Sequence, residues 1–253
     1  MQCPHCGFEK KKGAVECLKC GIVFAKYDSE RHHPDHETPV SSLTSQSKED
    51  DSTTEFGSFL KDLLFSVKPE TNIVSLIGRI LVLLVMIIWG IKFIFSSIMS
   101  NYSGSSFMHL VNLPFHEAGH VLFRIFGQFM MTLGGSLTQL LVPLVCLAAF
   151  LLKTRDPFAA SVSLWWLGQS LIDLSPYIND ARRLQLILLG GVTGRDVADY
   201  HDWQFILRKL GLLNYDHVLA KTAHISGAFF IICALVWGGY MLFKQYRSVR
   251  AEE

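Results

Sequence analysis

The chain has 253 residues, enough for one sizeable domain and a small module, and its formal net charge is only +1. That balance excludes a global field attracting nucleic acid or a polyanionic substrate. Half of the residues are apolar and 18% are charged, against about a quarter in soluble domains, so the composition points away from an ordinary water-soluble fold.

Lys, Glu, Asp, Ser and His crowd the first part of the chain, and the apolar runs follow. The opening MQCPHCGFEKKK has no apolar core ahead of a cleavage site, so no signal peptide is expected and the first apolar run acts as an uncleaved signal-anchor.

Residues 1–27 read as a small β zinc ribbon. Cys3-Pro4-His5-Cys6-Gly7 and Cys17-Leu18-Lys19-Cys20-Gly21 are near-copies of one knuckle, each placing two thiolates on a tight turn that the following glycine relieves. Disulfides are the alternative, but a reducing cytoplasm and Lys-rich surroundings favour zinc. Four thiolates close the coordination shell, so this zinc is structural: it folds the module and performs no chemistry. The short Lys10–Lys12 run is too slight for nucleic acid, and a docking surface for a protein partner is the expected role. Residues 28–56 read as a disordered polar linker, with His32, His33 and His36 as solvated side chains. Cys146 and Cys233 stand alone in apolar stretches and read as small core residues.

Residues 57–253 read as an all-α polytopic membrane domain of about five or six helices. Ile73–Met99 is a long apolar run with Arg79 and Lys92 near its ends, where long side chains can snorkel. Phe107–Gly127 is helical in pattern yet carries His109, His116, Glu117, His120 and Arg124; its apolar neighbours make it a spanning helix with function built in. Leu133–Leu152, Phe158–Ser175 and Ala223–Phe243 are further candidates, Leu184–Gly191 is too short to cross, and Tyr200–Leu213 suggests an interfacial helix. Positive residues at both ends place both on the cytoplasmic side, which demands an even number of crossings, whereas the runs count to about five.

The chemistry concentrates in His116-Glu117-Ala118-Gly119-His120. Residues four apart share a helix face, so two imidazoles can meet one metal. Glu117 lies on the adjoining face, able to act as a base on water without being a ligand. Zinc needs a third protein ligand, and Asp173, Asn179, Asp180, Asp199, His201 and Asp202 all offer suitable atoms downstream. Pro176 is expected to break its helix near Asp173 and open a ligand-bearing turn, while Arg182 and Arg183 read as interface anchors.

The segment Leu113-Pro114-Phe115-His116-Glu117-Ala118-Gly119-His120 resembles the HExGH helix of the site-2 protease family, the intramembrane zinc metallopeptidases. That family's second motif is Asn-x-x-Pro followed by Leu-Asp-Gly, whose Asp is the third zinc ligand. Asp173-Leu174-Ser175-Pro176 and then Asn179-Asp180-Ala181 are similar in layout, with Asp173 replacing the Asn, the spacing to Asp180 one residue shorter, and Ala181 replacing the Gly. Gly134–Gln139 occupies the place of the family's middle, substrate-proximal segment. The resemblance spans residues 107–190 and implies hydrolysis of peptide bonds in or near the membrane, with His116, His120 and Asp180 holding a catalytic zinc and Glu117 as base. It implies a peptide or membrane-protein substrate and a bacterial inner-membrane location, with the ribbon in the cytoplasm. A zinc-binding sensor or scaffold that keeps the fold without proteolysis is the alternative function; a metal transporter is a third, and the scarcity of charge in the other spans speaks against it.

Overall fold

The computed structural model describes residues 49–67 and 72–251, together with Glu9, Val15 and Val23. Two compact units divide the chain, residues 1–48 and 49–253. The ribbon cysteines Cys3, Cys6, Cys17 and Cys20 and the histidines at 32, 33 and 36 lie outside the described residues.

The second unit is helical. Helix α1 spans Glu49–Phe65, so the disordered linker expected over residues 28–56 gives way to helix at Glu49. Its sequence opens on Glu49-Asp50-Asp51, the charge sign a helix N-terminus favours, and closes on Leu63-Leu64-Phe65. Two of the orphan carbonyls at its end are satisfied by α7 (Asp216–Ala251): Trp237 Nε1 donates to Leu64 O at 2.9 Å and Lys244 Nζ to Phe65 O at 2.6 Å.

Helix α2 spans Ile73–Phe95, N-capped by Asn72, whose side chain accepts from the Ser75 amide at 2.8 Å. Leu76, Met86, Gly90 and Phe93 face inward, while Ile77, Leu81, Ile88 and many other large apolar side chains are exposed. Water would penalise such a surface; a bilayer would not. Among the described residues three helices are long and apolar enough to cross a membrane: α2, α4 (Gln128–Leu152) and the Leu213–Arg250 segment containing α7. Helix α3, Phe107–Phe123, has 17 residues. Helix α5, Pro157–Asn179, has 23, but Ser161, Ser163, Gln169, Ser170, Asp173 and Ser175 dilute its apolar character.

Those polar residues are buried, because α5 is the hub of the bundle. It packs most extensively on α7, where Gly168 and Gly227 let the backbones touch: a Cβ on Gly168 would sit 2.6 Å from the Gly227 carbonyl oxygen, and one on Gly227 would strike the carbonyl of Gly168. Around this crossing lies a core of Met86, Phe93, Trp165, Ile172, Ile231 and Ala234. Trp165 also donates to Met86 O at 3.0 Å, tying α5 to α2.

The expected break at Pro176 does not occur; α5 runs on to Asn179. Proline deprives the carbonyl four residues back, that of Ile172, of its helical donor. Two hydroxyls replace it, Ser175 Oγ at 2.8 Å and Ser103 Oγ at 3.4 Å. The helix therefore survives and carries Asp173 and Tyr177 on one continuous face. The helix expected over Tyr200–Leu213 shortens to α6, Asp202–Lys209, which buries Phe205, Ile206 and Leu207 against the bundle and leaves Arg208 and Lys209 exposed.

Candidate metal centre

Helices α3 and α4 form a hairpin turned at Gly127, which has φ of 90°. They touch at glycines: a Cβ on Gly134 would lie 2.6 Å from Gly119 O, and one on Gly119 would collide with the Gly134 carbonyl. This close approach sets the His116–His120 face directly over Gly135. A Cβ on Gly135 would stand 2.6 Å from both His116 Nε2 and His120 Nε2. The space between the two imidazoles and the α4 backbone is thus the size of an atom, and only glycine leaves it open.

The Nδ1 atoms of both histidines are engaged away from that space. His120 Nδ1 donates to Met131 O at 2.9 Å. Gln139 Nε2 donates to Asp173 Oδ2 at 3.1 Å, which leaves its Oε1 to accept from His116 Nδ1 at 3.0 Å. Each ring therefore presents Nε2 as the free ligand atom, the orientation that metal-binding histidines acquire from such partners.

The third group is Asp202, the first residue of α6. Its Oδ2 lies 3.1 Å from His116 Nε2 and 3.4 Å from His120 Nε2. Among the described residues His116, His120 and Asp202 form the one cluster of metal-binding type, their ligand atoms all within 4.8 Å of one another. Burial alone would lift the Asp202 carboxyl, yet with no ion present hydrogen bonds and charge interaction from the two imidazoles at Nε2 hold it down at about 2, and a bound cation would take the place of those Nε2 hydrogens.

Asp180, expected from the resemblance as third ligand, is engaged elsewhere. Its Oδ2 accepts from the Gln185 and Leu186 amides, both at 2.8 Å, and lies 3.6 Å from His201 Nε2. Burial works to raise its carboxyl, but His201 and these amides outweigh it and keep it below the ordinary range. The other candidates are likewise placed outside the cluster. His201 caps α6, Asp199 pairs with Arg208, and Asn179 Oδ1 accepts from His217 Nδ1 at 2.6 Å. Arg182 is bound to Asp216, and Arg183 reaches Met99 Sδ.

Asp173 supports the pair from behind. Its buried carboxyl group accepts from Asn112 Nδ2 at 3.0 Å, Gln139 Nε2 at 3.1 Å and His109 Nδ1 at 3.1 Å, and among the described residues no Lys or Arg pairs with it. Asn112 is itself saturated, since Trp166 Nε1 and Ser170 Oγ donate to its Oδ1. Tyr177 supports Asp202: its hydroxyl donates to Oδ2 at 3.2 Å and accepts from the Asp202 amide at 2.9 Å.

The sequence placed Gly135 and Gln139 only within the Gly134–Gln139 segment that resembles the family's substrate-proximal stretch, without a part in holding the histidines, and gave Tyr177 no role. Gln139 did carry a signal, as a polar residue in an apolar run; the Met131 carbonyl carried none, being backbone.

A cavity of about 510 Å³ opens onto the cluster, and Glu117, half-buried, lines it beside His109, Tyr177 and the Leu186–Leu189 segment. Glu117 makes no hydrogen bond or ion pair with any described residue, so its carboxylate is free to serve whatever enters. Comparison with family models, curated proteins and solved structures finds no match to this chain.

Proposed function

We propose that the chain is a membrane-embedded zinc metalloprotease of the site-2 protease type, with His116, His120 and Asp202 as its zinc ligands and Glu117 as its base. The observation that carries this reading is the convergence of two imidazole Nε2 atoms and one carboxylate oxygen beside an unpaired glutamate at a cavity wall. The residues fit zinc on their own chemistry. Two neutral nitrogens and one anion make a familiar catalytic donor set, and Gly135 leaves the volume that an ion would take. The buried Asp173 carboxyl group, hydrogen-bonded through Gln139 to His116, fixes the ring that presents Nε2 to the site.

Bound zinc supplies Lewis-acid activation of water and of the scissile carbonyl. The chain's own part begins at Glu117, which takes a proton from the attacking water at its free carboxylate and returns it to the leaving amine nitrogen. Water oxygen bonds to the carbonyl carbon, the C–N bond breaks, and the proton count closes. His116 and His120 keep their Nδ1 hydrogens on Gln139 and Met131 throughout, so neither ring rotates away from the centre.

In this reading α3 and α5 complete a bundle of about five embedded helices around the three apolar ones, in a plasma membrane with the ribbon on the cytoplasmic side. The ribbon holds a second, structural zinc on Cys3, Cys6, Cys17 and Cys20 and docks a protein partner or substrate. The test is Glu117→Gln in the purified chain, assayed with a model transmembrane peptide. Zinc content stays at the unsubstituted level while cleavage falls by about 10²- to 10⁴-fold, the usual worth of a positioned base. Full cleavage by this variant removes the mechanism.

A further inference from the structure

The start of α6 carries contacts that a metal ligand by itself does not need. His201, immediately before Asp202, is the N-cap: its Nδ1 accepts from the Gln204 amide at 3.2 Å. A ring nitrogen that accepts carries no proton, so the neutral imidazole has its hydrogen on Nε2. His201 is fully buried, and among the described residues that Nε2 has no hydrogen-bond partner; it faces Asp180 Oδ2 at 3.6 Å. A buried N–H without an acceptor is costly, and an anion aimed at it offsets part of that cost.

Asp180 is itself pinned by the Gln185 and Leu186 amides at the head of the segment leading to His201. Tyr177, one turn earlier on α5, packs its ring on His201 with centroids 4.3 Å apart and holds Asp202 by both amide and carboxylate. The chain between Asp180 and His201 is irregular, with positive φ at Leu184, Gly190, Gly191 and Asp199. Its contacts near the His201 end are exposed ones, the Tyr200 hydroxyl on Leu189 O and Asp199 on Arg208, so the buried hold on the start of α6 comes from α5.

We propose that Asp180, His201 and Tyr177 are positioning residues for Asp202: the last turn of α5 grips the N-cap of α6, so that the Asp202 carboxylate meets the two imidazoles already oriented. Asp180 then serves the centre without being a ligand. This rests on reading His116, His120 and Asp202 as a metal centre. Ordering this junction in advance spares binding the conformational entropy of a long connection.

The test titrates Co²⁺ alone into the full-length chain in detergent, with Cys3, Cys6, Cys17 and Cys20 changed to Ser so that one centre reports. Affinity and the visible spectrum are read together, since the spectrum follows the ligand set. Asp202→Ala abolishes binding. His201→Leu fills the volume without an acceptor and weakens binding about 10- to 100-fold, the usual cost of losing a group that orients a ligand. His201→Asn restores the capping oxygen and returns affinity to within about threefold of the unsubstituted chain. Asp180→Ala weakens binding as His201→Leu does, whereas Asp180→Asn keeps an oxygen for the two amides and retains both affinity and spectrum.

Two results overturn the inference while leaving the centre standing: His201→Leu with unchanged affinity, or Asp180→Asn with a changed spectrum and lost binding, which makes Asp180 a ligand. Should His201→Leu or Asp180→Ala fail to fold, Tyr177→Phe decides: it keeps the ring on His201 and loses both hydrogen bonds to Asp202, so cobalt affinity falls about 10- to 100-fold with the spectrum of the same ligand set, whereas unchanged affinity overturns the inference. An unsubstituted chain that binds no Co²⁺ sinks the metal centre itself, and the inference with it.

Discussion

Gly135→Ala is the substitution that interrogates the centre most directly. The added Cβ lands 2.6 Å from His116 Nε2 and from His120 Nε2 and Cε1, whereas ordinary contact begins at 3.4 Å. The imidazoles must therefore retreat by about 0.8 Å, or the methyl group keeps the place where an ion bonded at about 2.0–2.1 Å to each nitrogen would sit. A displacement of about 1 Å typically costs a site two orders of magnitude, so zinc affinity falls at least about 100-fold. The fold survives because two effects oppose each other. Alanine gains about 0.8–1.0 kcal/mol over glycine inside a helix, and overpacking costs about 1–3 kcal/mol, leaving a net loss of no more than about 2 kcal/mol. Zinc affinity is measured by competition with a chromophoric chelator, and thermal unfolding of the same samples reports the fold. A Gly135→Ala protein that unfolds normally yet binds zinc within threefold of the unsubstituted chain shows that no ion sits between these rings, and the reasoning fails.

Other outcomes follow from the groups behind the ligands. Gln139→Met removes the acceptor for His116 Nδ1 and one of the donors to buried Asp173, so zinc affinity drops about 10- to 100-fold, read by the same chelator competition. The double substitution Ser103→Ala/Ser175→Ala strips the carbonyl of Ile172 of both replacement donors, and equilibrium unfolding in detergent is lowered by about 1–3 kcal/mol; an unchanged midpoint denies the hydroxyls their part in carrying α5 past Pro176. Gly168→Leu forces α5 and α7 apart at the tightest point of their crossing and loses the fold altogether, seen as aggregation on size-exclusion chromatography.

What the sequence determined by itself is whatever depends on local periodicity. The 3.6-residue repeat places His116 and His120 on one face whatever else the chain does, so the two proposed ligands and the proposed base were legible from five residues. Apolar length marked α2, α4 and the long C-terminal helix in the same way. The third group proposed to hold the metal depends on no local pattern. Asp180 and Asp202 are equally good carboxylates, and choosing between them requires knowing that α5 continues past Pro176 because two serine hydroxyls replace one lost donor. It also requires knowing that α6 starts under the grip of Tyr177, which turns Asp202 towards the imidazoles while the backbone amides of Gln185 and Leu186 occupy Asp180. Asp202 is brought to the histidines by a connection with no regular structure, and Gly135 matters only for the room it leaves above another helix. Both are facts of long-range packing, and the tertiary structure alone decides them.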